Sequence, residues 1–97
     1  MPAYLVGRLT IHNSDWLAEY QPITEALVAK HGGRYLVGGA EFERVEGEGE
    51  PPNGLVVLEF PTLDAVNAWY NDPEYKPMIE LRQSGADTEA FIVQGRE

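Results

Sequence analysis

Tyr35, Trp69, Tyr70, Tyr75 and Arg82 form the group best suited to hold a small molecule. Aromatic rings give flat apolar walls, and one guanidinium fork matches a carboxylate, so the set suits a flat or carboxylated ligand. The plainer reading makes the rings core and rim, with Arg82 bonded to the end of a strand or paired with Glu74. His31, Tyr70 and Arg82 are the catalytic candidates. His31 and His12 are the two side chains that titrate near neutrality when unperturbed. His31 also sits where a helix should end, and a cation there gains from the helix dipole without any further task. The two histidines are far apart in sequence and no third ligand accompanies them, so no metal site is expected. Arg8 and Glu59 should share one sheet face on neighbouring antiparallel strands. Their expected ion pair either orients a ligand or fixes register between strands or subunits.

Other chemistries lack their residues. The chain has no cysteine, which excludes thiol catalysis, disulfides and thiolate metal sites and fits a reducing compartment. No phosphate-cradling loop or nucleophile elbow is present. Seven basic against sixteen acidic side chains give a formal charge of −9, which argues against nucleic acid and anionic membranes as partners. No apolar run approaches the ~18 residues of a membrane helix. The first residues carry neither a basic region nor a cleavage-like site, so a cytoplasmic location is expected. The glutamates at positions 41, 43, 46, 48 and 50 read as solvated charge. No cofactor is expected.

The elements that must position the candidates follow from breakers and periodicity. Ala3 to Ile11 alternates as a first strand. Asn13 or Ser14 should cap a helix whose stripe is Trp16, Leu17, Tyr20, Ile23, Leu27, Val28 and His31, with a kink or restart at Pro22 and a stop at Gly32-Gly33. Arg34 to Val45 reads as a second strand with a bulge or close approach at Gly38-Gly39. A flexible polar connection leads to a strand at Leu55–Leu58, ended by Pro61. Thr62 caps a helix carrying Leu63, Val66, Trp69 and Tyr70. Asp72 and Pro73 suit the N-cap and first position of a second short helix, with Tyr75, Met78, Ile79 and Arg82 on one face and Gly85 as terminator. Glu89 to Gln94 is the last strand. The order β-α-β-β-α-β predicts a single α+β domain over residues 1–97, with a four-stranded antiparallel sheet and its helices on one face.

The segment LVVLEFPTLDAVNAWYNDPEY, Leu55 to Tyr75, resembles the DUF1330 family, as do Gly32-Gly33-Arg34-Tyr35-Leu36, Gly38-Gly39 and the final strand. The resemblance implies a ferredoxin-like fold of the dimeric α+β barrel group. That wider group includes cofactor-independent monooxygenases, isomerases and haem enzymes, but fold does not carry function. With Leu5, Leu9, Val56, Leu58 and Phe60 facing the helices, the other face still holds Tyr4, Val6, Val37, Leu55 and Val57. So apolar a face calls for a second copy, sheet against sheet. Two functions stand: a dimeric enzyme acting on a small organic metabolite without a tightly bound cofactor, or a non-catalytic module that binds a small molecule or serves as a structural dimer.

Overall fold

The computed structural model describes residues 1–39 and 41–96. Its elements run β1 (Ala3–Ile11), α1 (Leu17–Lys30), β2 (Arg34–Gly39), β3 (Gly54–Phe60), α2 (Leu63–Tyr70), α3 (Lys76–Gln83) and β4 (Ala86–Gln94). The strands pair antiparallel in the order β2-β3-β1-β4, a ferredoxin-like sheet. β1 lies inside, with β3 and β4 on either side.

Local chemistry explains most boundaries. The Gly33 N–H bonds the Val28 carbonyl at 2.8 Å and the Gly32 N–H bonds that of Ala29 at 3.0 Å. Gly32 has φ of 81°, so these bonds make a Schellman stop that a side chain would strain. Thr62 Oγ1 accepts the Ala65 N–H at 3.0 Å and caps α2. β3 ends at Phe60, just before the proline that cannot donate to the ladder.

Several expectations need correction. α1 has Trp16 at its N-cap with no side-chain cap; Asn13 instead binds the N–H of Asp15. The helix runs unbroken through Pro22, whose place in the second turn removes one bond without ending the spiral. Its buried stripe takes Thr24 where Ile23 was expected; Ile23 is exposed. The second short helix starts at Lys76, not at Pro73, because Asp72 Oδ1 accepts the Glu74 N–H and its carbonyl accepts the Tyr75 N–H, closing a separate turn. Within the described residues β2 ends at Gly39, and Glu41 to Val45 form no strand; Ala40, part of the expected strand, lies outside the described residues. The bulge lies between Tyr35 and Val37 rather than at the glycine pair. β4 begins three residues earlier than expected.

The core lies between the sheet and the helices. Ala3, Leu5, Leu58 and Phe60 face Leu27, Val28, Val66, Trp69, Tyr75 and Met78, all buried. Trp69 stacks at a tilt on Phe60 and Tyr75, with centroids 5.4 and 4.5 Å away. Among the described residues nothing covers the opposite face: Val6, Val37, Phe91 and Val93 are exposed there, Phe91 by 59%.

Phe60 also fixes the end of α1. A Cβ on Gly33 would meet its ring at 2.5 Å. Gly33→Ala is therefore expected to lower stability by roughly 1–3 kcal/mol in urea unfolding. Phe60→Leu in the same chain should cost less than it does alone, and strictly additive losses would exclude the contact.

Candidate functional site

The turn after α2 and the C-terminal half of α3 bring Tyr75 and Arg82 beneath α1. There the three polar tips meet. The Tyr20 and Tyr75 hydroxyls are 2.7 Å apart. Arg82 Nη1 donates to Tyr75 at 2.9 Å and to Tyr20 at 3.2 Å. The guanidinium lies 6.0 Å from the Tyr20 ring centre, near the limit of cation–π attraction. Arg82 is only 7% exposed. Burial pushes the Tyr75 phenol well above its ordinary range; Arg82 pulls the other way without reversing it. Tyr75 is therefore a protonated hydroxyl at neutral pH, not a resident base.

These groups border a cavity of about 280 Å³ between the sheet and the helices. Gly7, Gly54 and Ala90 make part of its floor, where the lack of bulk leaves room. Trp16, Tyr20 and Thr24 of the first helical segment, Trp69 and Tyr70 of α2, and Tyr75 with Arg82 enclose it. Tyr35 reaches it from β2, because the bulge sends Tyr35 to this side and Val37 to the other. Tyr35, Trp69, Tyr70, Tyr75 and Arg82 thus all border one space. Arg82 pairs with tyrosines, not with Glu74. Tyr20, Trp16 and Thr24 are additions; the spacing Trp16, Tyr20, Thr24 already marks one helical face.

Among the described residues, the buried side-chain polar atoms without a partner are Thr24 Oγ1, Trp69 Nε1, Arg82 Nε and Thr88 Oγ1. All four belong to residues that line this cavity. Its described lining contains no Asp, Glu or His, so Arg82 is its one charged side chain.

The remaining candidates lie elsewhere. Arg8 and Glu59 do not oppose each other: the register sets Tyr4 against Glu59 and Arg8 against Leu55 and Glu89. Glu59 instead binds Arg34 Nε at 2.7 Å and the Tyr4 hydroxyl at 3.1 Å, on the uncovered face. The bond from Arg34 holds the Glu59 carboxyl below its usual range. The expected pairing missed by four residues along β1, a register that strand patterns alone do not fix. His12 meets Asp87 at 2.9 Å on the exposed surface. His31 does not border the cavity. It sits 2.8 Å from Asp72 Oδ2, which also takes Lys30 Nζ at 3.0 Å. Among the described residues no cluster of three or more His, Cys, Asp or Glu side chains is placed to hold a metal ion. No described helix is long and apolar enough to cross a membrane.

The sequence profile of a family described as a domain of unknown function, DUF1330, matches residues 2–96. No curated protein matches the chain. Solved structures do. A protein of unknown function from Rhodopseudomonas palustris superposes with TM-score 0.80 at 16% identity, over 99% of this chain and 83% of that one. A dimeric ferredoxin-like protein of unknown function from Jannaschia sp. CCS1 gives 0.74 at 14% identity, over 98% and 100%. SnoaB, a cofactor-independent oxygenase from Streptomyces nogalater, gives 0.69 at 18% identity, over 99% and 94%. At these identities the likeness is one of fold.

The Asp72 cluster yields a pH prediction. Bonds from His31, the Glu74 N–H and Lys30 hold the Asp72 carboxyl well below its ordinary range. A carboxylate depressed on folding stabilises the native state above its unfolded pKa of about 3.9, and that contribution fades as pH falls below it. Asp72→Asn should therefore lower the melting temperature at pH 7, and its deficit against the parent chain should shrink below about pH 4. A deficit unchanged from pH 7 to pH 2 would show that the carboxylate's charge is not what stabilises this corner.

Proposed function

Because the chain belongs to the DUF1330 family, which carries no assigned function, we propose its role from the cavity: it is a homodimeric protein that takes a small, flat organic molecule between sheet and helices. The observation that carries this reading is a mostly apolar, aromatic-walled space of about 280 Å³ with Arg82 as the one charged side chain of its described lining. Ligand sites are commonly mostly apolar with a few convergent polar groups.

Two subunits follow from the uncovered face. Val6, Val37, Phe91 and Val93 are exposed on it, beside half-buried Leu55 and Val57. A solvated antiparallel sheet face is normally polar. The described dimers among similar ferredoxin-like structures support the same assembly. The similar fold of SnoaB, named a cofactor-independent oxygenase, supports a catalytic role on a small metabolite. Without an acid or imidazole at the cavity, such a reaction would draw on the substrate's own acidity and on Arg82 as the positive group beside it. A binding module without turnover is the second reading, favoured by the same lack of a resident base.

Sedimentation should give a species of twice the chain mass at micromolar concentration, and Val6→Asp, a charge on the middle of that face, should shift it to single-chain mass. A well-folded parent of single-chain mass would overturn the assembly. Trp16 and Trp69 both border the cavity, so their emission should change saturably with some member of a panel of small planar aromatics. Ala90→Phe, which fills the floor, should abolish that change. A panel that leaves both emission and melting temperature unmoved would overturn the site; turnover of any bound member separates enzyme from binder.

A further inference from the structure

Arg82 is the one charged side chain of the described cavity lining, and no anion of that lining meets it. Arg82 has five N–H donors. Nη1 supplies the recorded bonds to the two tyrosines. Nε is buried with no partner, and no bond from Nη2 is found among the described residues. Trp69 Nε1 is another donor without an acceptor. The two tyrosine hydroxyls contribute a third by simple accounting. Each oxygen accepts from Arg82, and the 2.7 Å contact uses the hydrogen of one. The hydrogen of the other remains. Among the unpartnered atoms only the Thr24 and Thr88 hydroxyls can accept, and they donate as readily; the other side-chain acceptors of the described lining are neutral, the amides of Gln21 and Asn53 and the hydroxyls of Tyr35 and Tyr70. The cavity thus borders one buried cation with spare N–H groups and neutral polar side chains, with no carboxylate in its described lining, inside a chain whose overall charge is −9.

A buried guanidinium without an anion is an incomplete pair, since leaving one charge alone costs far more than burying both together. We propose that the occupant is a small planar monocarboxylate, its carboxylate on Arg82 and its ring between the aromatic walls, so that the anion is contributed by the ligand and not by the protein. This rests on the cavity being the ligand site. A guanidinium edge binds a carboxylate by two parallel bonds, and the planar rings around it admit a flat body. A monoanion balances one arginine; a dianionic phosphate would bring a second negative charge that nothing in the described lining offsets.

The test compares ligands of one shape. 1-Naphthoate and 1-naphthamide are titrated against the intact protein with tryptophan emission as readout. The amide replaces a charged acceptor oxygen with donor hydrogens, which a guanidinium cannot accept. The carboxylate should bind roughly tenfold or more tightly, as hydrogen bonds to a charged group predict. Arg82→Met should reduce naphthoate affinity to that of the amide while leaving amide binding within about threefold, a margin set by the usual context dependence of removing one contact. The ligand comparison on the unaltered chain stands by itself if that variant does not fold. Equal binding of both ligands would overturn the charge assignment and leave the cavity as a site. Tighter binding of 1-naphthyl phosphate than of 1-naphthoate would overturn the monoanion. Failure of all three to bind would remove the site, and the proposal with it.

Discussion

All the helices of this chain press on one side of its sheet, and both sides of that sheet are apolar. Side-chain alternation along β1 imposes this: Ala3, Leu5 and Gly7 turn inward while Tyr4, Val6 and Arg8 turn outward. The inward set receives Trp69, Tyr75 and Leu27 and becomes the core. Burying such apolar surface is the main favourable term in folding. The same term, left unused on the outer face, is the reason a partner subunit belongs in the proposal. One chain, with helices on one side only, satisfies half of its own sheet.

The covered side is not uniformly filled. Near Phe60 the packing is tight enough to admit only glycine at position 33. Toward Gly54 and Ala90 the floor is small-residued and a cavity opens. Thr24, Trp69, Arg82 and Thr88, which carry the unpartnered polar atoms, all line this cavity, and Trp69 packs on Phe60 as well. Close packing is the rule in protein interiors, so the two ends of this core differ in kind. At the tight end His31, Lys30 and Asp72 form a satisfied cluster whose evident task is to tie the end of α1 to the turn before α3.

The sequence was most informative where local chemistry decides. Thr62, Pro61 and Gly32-Gly33 mark boundaries that the structure keeps. Tyr35, Trp69, Tyr70, Tyr75 and Arg82, grouped in the sequence as rings with an arginine suited to a flat or carboxylated molecule, all border one cavity. What escaped depends on registers and rotations that no single stretch specifies. The pairing of Tyr4 with Glu59 is set by the whole ladder, so Glu59 meets Arg34 of β2 and not Arg8, which no single stretch of sequence specifies. Thr24 displaces Ile23 from the buried side of α1 because the helix is held by Tyr20, Leu27 and Val28, and apolarity alone does not rank a threonine over an isoleucine. Asp72 was read as a helix cap for a sound local reason, yet three basic and backbone donors at once claim it for a turn.

The extra residue in β2 has a further implication. Tyr35 lies opposite Leu58 and Val37 opposite Val57, successive rungs of β3, although Leu36 intervenes on the other strand. A ladder without Leu36 would place the same two side chains on the same two sides. The bulge therefore frees one position from both surfaces. Loss of Leu36 would shorten β2 without exchanging the contents of the interior for those of the outer face, whereas loss of one residue from a regular ladder turns every later side chain to the opposite side.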